Sequence, residues 1–151
     1  MSESEKNLKE AFAGESQANR KYLAFAKKAE AEGFKQAAKL FRAAAAAETI
    51  HAHNHLRQLG VVKSTRENLM AAITGESFEF QKMYPQMIAD ATAENNKGAL
   101  QSFNWANEVE KVHAALYQKA LDTLGRNVET DYYICSVCGY TAEGEAPDDC
   151  P

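Results

Sequence analysis

The 151-residue sequence predicts an all-α fold, a four-helix bundle followed by a small metal-binding knuckle. Three observations support this prediction. The first 125 residues read as helix almost throughout, with few helix breakers, and these breakers are spaced like turns. Apolar residues recur at intervals of three and four along each helical segment, which indicates that one face of each helix is buried. All three cysteines fall within the last 17 residues, which favours a separate metal knuckle over disulfides spread through the fold.

Composition and charge exclude several functional classes. The chain has 17 basic and 21 acidic residues, and its net charge of -4 gives no electrostatic support for binding nucleic acid or an anionic membrane. The longest uninterrupted apolar run, residues 43–47, is too short to span a bilayer, and the first residues lack the apolar stretch of a secretory signal. We therefore expect a cytoplasmic protein with neither a nucleic-acid nor a membrane partner.

Glycines and capping residues set the bounds of four predicted helices. Gly33, Gly60 and Gly125 each follow a long periodic segment, as glycines at helix C-termini do. Ser64 with Glu67 three residues later predicts a capping box that opens the third helix. Each predicted helix is about 40 Å long at 1.5 Å per residue. The helices are A (4–32), B (34–59), C (65–93) and D (96–124).

Each predicted helix carries a glutamate in its otherwise apolar inner stripe. These glutamates, separated by 33, 28 and 34 residues, are Glu15, Glu48, Glu76 and Glu110. Helices B and D add a histidine three residues later, in two Glu-x-x-His motifs that end at His51 and His113. An ionised carboxylate in a core costs several kcal/mol unless it is paired or bound to a cation. The pattern therefore predicts two metal ions inside the bundle, and its carboxylate and imidazole donors suit iron or manganese.

Helix C has two further features. Glu79 lies one turn after Glu76 and adds a seventh donor, although a surface glutamate beside the site is the alternative. Ferric iron prefers oxygen ligands and ferrous iron accepts imidazole more readily, so we predict that Glu79 competes with a histidine ligand when the oxidation state changes. Pro85 should bend helix C, because its ring crowds the carbonyl of Gln81 and it has no N–H to donate.

Other tyrosines and histidines lie close to the predicted ligands in the sequence. Tyr22 and Tyr84 are each positioned to donate a phenolic hydrogen bond to a ligand carboxylate, and a buried tyrosine with an unrelated partner is the alternative. His53 points to a different side of helix B and is predicted to be a surface residue. His55 lies one turn beyond His51, so it is either a core histidine or a group that contacts the ligands.

The C-terminal segment 127–151 is predicted to be a separate domain from the bundle of residues 1–126. Its thiols are Cys135, Cys138 and Cys150. The first two form a C-x-x-C motif, and Gly139 after it permits the tight turn that points amide N–H groups at sulfur. Zinc ribbons and redox pairs share a single C-x-x-C motif, but the third cysteine favours a metal site. Since a tetrahedral site needs four ligands, we expect the chain to continue beyond Pro151.

These motifs resemble those of the rubrerythrins, ferritin-like di-iron bundles that carry a rubredoxin-like domain, and the resemblance runs essentially end to end. The matching segments are 13–18, 48–51, 75–79 and 110–113, with the three cysteines as rubredoxin-like iron ligands. The resemblance implies that one iron is bound by Glu15, Glu48, Glu79 and Glu110, and the other by Glu48, Glu76, Glu110 and His113. Glu48 and Glu110 would bridge the metals, and the first iron would exchange Glu79 for His51 on reduction.

The resemblance also implies an activity. A rubrerythrin-type protein is expected to be a non-haem di-iron peroxidase that reduces hydrogen peroxide to water in oxidative-stress defence. Its cofactors would be two Fe ions in an oxo- or hydroxo-bridged site and one Fe in a rubredoxin-like four-cysteine site. Electrons would come from a rubredoxin or an NAD(P)H-dependent reductase, ultimately from NADH. A homodimer is expected, with exchange of helices or tails between subunits as one arrangement.

Two alternatives to the peroxidase are a ferritin-like protein for iron oxidation and storage, and an electron carrier that uses only its cysteine site. Storage would require a hollow shell of many subunits, in which a rubredoxin-like tail has no place. A carrier would not need seven inward-facing metal donors. The sequence therefore favours the peroxidase.

Overall fold

The computed structural model describes residues 2–151. Its elements are α1 (Glu3–Ala31), α2 (Lys35–Leu59), α3 (Thr65–Phe78), a π-helical turn (Glu79–Met83), α4 (Tyr84–Ala93), α5 (Lys97–Asp122), β1 (Tyr132–Ile134) and β2 (Thr141–Glu143). Predicted helices A, B and D correspond to α1, α2 and α5, and helix C corresponds to α3, the π-helical turn and α4. These residues divide into two compact units, the first ending at Lys63 and the second beginning at Ser64. Among the described helices, none combines the length and apolar character needed to cross a membrane.

The first unit is an antiparallel hairpin of α1 and α2. Its turn contains Gly33 in the left-handed region at φ +86°, which confirms the predicted helix terminator. The side chains that the hairpin buries are small, and they are Ala26, Ala29, Ala38, Ala45 and Ala52. Tyr22 and Phe25 both pack against Phe41 across the hairpin, with ring centroids 6.2 and 5.5 Å from it. The two helices are therefore fixed closely against each other.

The second unit begins with the predicted capping box. The Ser64 side chain accepts a hydrogen bond from the Glu67 N–H at 3.3 Å, and the Glu67 carboxylate accepts one from the Ser64 N–H at 3.2 Å. Asn96 caps α5 by accepting a hydrogen bond from the Ala99 N–H at 3.1 Å. Helix D was predicted to end at residue 124, but α5 ends at Asp122. The signals for helix starts were more accurate than those for this end.

The structure corrects the prediction for helix C around Pro85. We predicted one α-helix bent at this proline, but the chain forms a π-helical turn over Glu79–Met83 immediately before it. The Tyr84 N–H bonds to the Glu79 carbonyl, five residues back. In a continuous α-helix the proline ring would press on the Gln81 carbonyl, and the wider turn relieves this clash. The extra residue also changes the direction of the side chains that follow it, which periodicity alone does not reveal.

The cysteine-bearing segment packs on α5 within the second unit. Strands β1 and β2 pair antiparallel, with Ile134 opposite Thr141, and they flank the C-x-x-C turn. Lys119 of α5 forms an ion pair with Glu143 of β2, and the Tyr132 hydroxyl donates to the same carboxylate at 3.3 Å. These contacts fix the small sheet against the C-terminal half of α5.

Candidate metal centre

The first unit brings together one carboxylate of α1 and the Glu-x-x-His motif of α2. Glu15, Glu48 and His51 each place a donor atom within 4.8 Å of the others. His51 Nδ1 lies 2.8 Å from a Glu48 oxygen and 3.8 Å from a Glu15 oxygen. Both glutamates are half-buried, whereas the His51 side chain is 52% exposed. The cluster can offer three donors to one metal ion, with the imidazole as its most accessible member.

Asn19 of α1 forms two hydrogen bonds to α2. These bonds hold Glu15 and Glu48 at the same height along the hairpin. The Asn19 amide donates to the Ala45 carbonyl at 2.7 Å and to the Thr49 hydroxyl at 2.8 Å. Asn19 lies one turn after Glu15, and Thr49 follows Glu48 directly. Because it binds both the backbone and a side chain of α2, Asn19 sets how far the hairpin helices can slide past each other.

The second unit repeats this arrangement with α3 and α5. Glu76, Glu110 and His113 place donor atoms within 4.8 Å of one another, and all three are half-buried. His113 Nδ1 lies 2.8 Å from a Glu110 oxygen and 3.7 Å from a Glu76 oxygen. These distances nearly equal those of the first cluster. In both units, therefore, the carboxylates converge on Nδ1 of the histidine.

Negative charge is crowded at the second cluster. Burial, a hydrogen bond to Glu110 and the charges of Glu110 and Glu79 raise the pKa of Glu76 from 4.5 to about 7. Burial and the Glu110 charge also raise the pKa of Glu79, while His113 lowers it. The pKa of Tyr84 is raised by burial and by the three carboxylates. A cation would relieve this repulsion, so the donor set fits a divalent metal such as ferrous iron.

The other predicted site residues are Glu79, Tyr84 and Tyr22. Glu79 lies in the π-helical turn, within electrostatic range of Glu110. Tyr84 packs against Phe103 at 6.3 Å, close enough to the carboxylates for their charges to act on it. Tyr22 lies in the aromatic group of the first unit. The phenolic hydrogen bonds to ligands stay predictions.

The two other histidines of α2 lie outside both clusters, within residues 2–151. His53 is exposed, which confirms that it is a surface residue. His55 is half-buried. A contact between His55 and the predicted ligands stays a prediction.

The three cysteines also converge. Their sulfur atoms lie within 4.8 Å of one another, and Cys138 and Cys150 are 3.2 Å apart. Gly139 has φ +86°, and this left-handed turn lets its N–H bond to the Cys135 carbonyl at 2.9 Å. The Tyr140 N–H points at the Cys138 sulfur at 3.4 Å, as the sequence predicted. The loop is thus shaped to hold a thiolate-bound metal.

The thiols of this loop differ in acidity. The pKa of Cys135 is lowered to about 7, mainly because the backbone N–H groups of Cys138 and Val137 hydrogen-bond to its sulfur. Hydrogen bonds to Cys138 and Cys135 raise the pKa of Cys150 to about 12. Cys135 is therefore partly ionised near pH 7 before any metal binds.

Thr141 was not predicted to belong to the site. Its hydroxyl oxygen lies 2.9 Å from Nε2 of His113, and the same hydroxyl lies 3.2 Å from the Gly139 carbonyl. The contact joins β2 to α5 across 28 residues of sequence. The sequence signal is only a threonine shortly after the C-x-x-C motif, and no local pattern shows that it reaches a histidine.

Two carboxylate–histidine clusters on long helices, followed by a three-cysteine loop, define a ferritin-like di-metal carboxylate protein with a rubredoxin-like tail. The rubrerythrin family model matches residues 6–121. The chain therefore belongs to the rubrerythrin family of di-iron proteins. The predicted fold class, a ferritin-like helical fold with a small metal knuckle, is confirmed.

Individual relatives agree with this assignment. Rubrerythrin-2 of Clostridium acetobutylicum is 37% identical over 161 residues, covering 95% of this chain and 88% of the relative. Nigerythrin of Nitratidesulfovibrio vulgaris is 36% identical, covering 96% and 79%. The structure of fully reduced, all-ferrous nigerythrin has a TM-score of 0.58 at 34% identity, covering 99% of this chain and 81% of that one.

Proposed function

We propose that the protein is a non-haem di-iron peroxidase that reduces hydrogen peroxide to water, with electrons delivered through a cysteine-bound iron. The main support is the occurrence of two carboxylate–histidine clusters of nearly equal geometry together with a convergent set of thiols. Membership of the rubrerythrin family and the all-ferrous state of nigerythrin support iron as the metal. When bound, two ferrous ions would supply the two electrons that reduce the O–O bond.

We propose that both clusters contribute to one two-metal centre. Three donors leave each metal with open positions, so neither cluster alone completes a stable site. Glu48 and Glu110 would bridge the metals, and Glu79 would supply the seventh donor. Five ionised carboxylates more than balance the charge of two ferrous ions and offset most of the charge of two ferric ions. The repulsion that raises the pKa of Glu76 supports this role, because it is what bound cations would remove.

Ligand exchange between Glu79 and His51 is part of the same proposal. The His51 side chain is 52% exposed, and its Nε2 has no hydrogen-bond partner within residues 2–151. Its ring can therefore turn at small cost. Glu79 has a raised pKa, so a proton could bind there when the carboxylate leaves a metal. Tyr84, and Tyr22 in the other unit, are proposed to donate phenolic hydrogen bonds to the carboxylates.

The cysteine loop is proposed to hold one iron that passes electrons to the centre. Ile134 and Val137 beside the thiols are 64% and 70% exposed, and such apolar residues suit brief docking of an electron-donor protein. We propose a rubredoxin or an NAD(P)H-dependent reductase as that donor. We also propose a cytoplasmic location, where thiols stay reduced and available to bind a metal.

We also propose that the protein forms a homodimer. Several large apolar side chains of the first unit are exposed, among them Phe25 at 46% and Ile50 at 61%. A two-helix hairpin cannot cover such residues by itself, and a four-helix arrangement can. Exchange of hairpins between two copies is one way to form it. Light scattering would give the assembly size, and a shell of many subunits would favour the storage alternative.

The test of the peroxidase is a single-turnover reaction. Iron-loaded, fully reduced protein is mixed anaerobically with one equivalent of hydrogen peroxide, and oxidation of the di-iron site is followed by absorbance. Wild type should oxidise within seconds. Glu110→Ala should lose this phase, whereas Glu108→Ala, which removes an exposed partner of Lys111 on the same helix, should retain it. A wild-type centre that stays reduced for minutes would refute the proposal.

A further inference from the structure

His113 is held between two different kinds of partner. Its Nδ1 faces carboxylates, at 2.8 Å from Glu110 and 3.7 Å from Glu76. Its Nε2 faces the Thr141 hydroxyl at 2.9 Å. An apolar cleft borders this second contact, and its lining includes Leu69, Leu116, Tyr117, Ala120 and Tyr132. Among the described residues 2–151, the Thr141 hydroxyl is the hydrogen-bond partner of Nε2, so the ring orientation depends on Thr141.

The positions of the protons decide which group donates and which accepts between His113 and Thr141. A threonine hydroxyl has one proton, and here it is directed to the Gly139 carbonyl at 3.2 Å. When a metal takes the Nδ1 lone pair, the ring proton lies on Nε2, and the hydroxyl oxygen accepts it at 2.9 Å. A neutral imidazole with its proton on Nε2 presents a lone pair at Nδ1. That is the nitrogen on which Glu110 and Glu76 converge.

We propose that Thr141 is a positioning residue that fixes the tautomer and orientation of His113, so that Nδ1 is available to a metal. The inference rests on the proposed di-metal centre and adds to it a residue from outside the helices. A second partner on the far nitrogen is what commonly orients a metal-binding histidine and raises its basicity. In this chain that partner is a hydroxyl of the cysteine-bearing sheet.

The same bonds connect His113 to the cysteine loop. Gly139 follows Cys138 directly, and the N–H of this glycine bonds to the Cys135 carbonyl at 2.9 Å. A continuous series of bonds thus runs from the loop through Gly139 and Thr141 to the ring of His113. Of His51 and His113, only His113 is therefore connected to the cysteine loop by hydrogen bonds of the described residues. His51 has no equivalent contact within the described residues 2–151.

The test uses zinc and the ring nitrogens of His113. The full chain is labelled with 15N-histidine, freed of metal and titrated with Zn2+, and long-range 1H–15N spectra report which nitrogen is protonated and which is bound. The signals of His113 distinguish zinc bound at this ring from zinc bound by the cysteines. Wild type should show a protonated Nε2 and a zinc-bound Nδ1.

Three variants separate the hydroxyl from its surroundings. Thr141→Val keeps the shape and removes the hydroxyl, and it should weaken zinc binding at His113 by about 10- to 100-fold and give a mixture of tautomers. Thr141→Ser should stay within about threefold of wild type. Thr92→Val is the matched control, since its exposed hydroxyl bonds only to the Ile88 carbonyl of its own helix. Thr141→Ala replaces Thr141→Val if circular dichroism shows that the valine variant does not fold.

Each outcome has one meaning. Unchanged affinity and tautomer in Thr141→Val would overturn the inference, and so would an equal loss in Thr141→Ser, because space rather than the hydroxyl would then matter. A wild-type His113 whose nitrogens do not respond to zinc would count instead against the metal cluster, and with it the proposed function.

Discussion

Replacement of Glu76 by glutamine should stabilise the metal-free protein at neutral pH. The pKa of Glu76 is raised from 4.5 to about 7 by burial and by Glu110, so ionising it in the folded state is unfavourable. A glutamine side chain at this position would have almost the same shape and could still hydrogen-bond to Glu110 without a charge. The same substitution removes a proposed metal ligand, so stability and metal binding should change in opposite directions.

The size and sign of the effect follow from the two pKa values. Below about pH 4.5 the Glu76 carboxyl is protonated in both the folded and the unfolded chain. Between pH 4.5 and 7 the folded state holds more protons, so the free energy of unfolding falls as the pH rises, and the whole loss is present above pH 7. The full difference corresponds to about 3 kcal/mol at roughly 1.4 kcal/mol per pH unit. Because the side chain is 20% exposed and water screens it, we expect about 1–2 kcal/mol.

Urea unfolding of the metal-free protein between pH 4.5 and 8 provides the assay. Wild type should lose about 1–2 kcal/mol relative to Glu76→Gln over this range, a shift of about 0.5–1 M in the urea midpoint. Glu129→Gln, an exposed change in the linker after α5, should follow wild type throughout. Parallel pH profiles for wild type and Glu76→Gln would refute the reasoning, because they would mean that this carboxyl is not crowded in the folded chain.

Three other expectations concern the metal and the two units. Removal of metal at neutral pH should lower the thermal midpoint in calorimetry, because bound cations stabilise only the folded state, and equal midpoints after verified removal would contradict the buried clusters. Asn19→Leu should destabilise the chain by about 1 kcal/mol in urea, because the Ala45 carbonyl and the Thr49 hydroxyl lose their shared donor. In metal-free protein, iodoacetamide should modify Cys135 faster than Cys150 at pH 7–8, and the rate at Cys135 should fall below pH 7 as its thiolate is protonated; equal rates by peptide mass spectrometry would show that the loop does not favour the Cys135 thiolate.

The helices and their clusters could be predicted because their signals are local. A capping residue, a glycine terminator or a Glu-x-x-His motif depends on residues within one or two turns, and Ser64, Gly33 and the clusters ending at His51 and His113 agree with the structure. Each glutamate-histidine pair follows directly from helical spacing, since residues three apart share a face.

The features that were missed depend on longer-range or competing effects. Periodicity assumed one helical phase through helix C, whereas the π-helical turn before Pro85 changes that phase at Glu79. The apolar stripes predicted a buried core, but Phe25 is 46% exposed in the described structure, because a single hairpin buries little beyond its alanines. Thr141 reaches His113 through a contact between β2 and α5 that no spacing rule encodes. Pattern therefore predicted which side chains lie together better than it predicted their surroundings.

The two histidines differ in a way that bears on the proposed chemistry. His113 is confined at both nitrogens, by Glu110 on one side and Thr141 on the other, and its side chain is 30% exposed. His51 is confined at one nitrogen only and is 52% exposed. A centre that cycles between oxidation states needs one ligand that can leave and return, and others that keep the metal in place. His51 must break one contact in order to move. His113 must break two, and one of them is the hydrogen bond to Thr141 beside an apolar cleft, so His51 is the better exchanging ligand. Within the proposed function, the ligand exchange therefore belongs at His51, and the fixed end of the centre is the one that contacts the cysteine-bearing sheet.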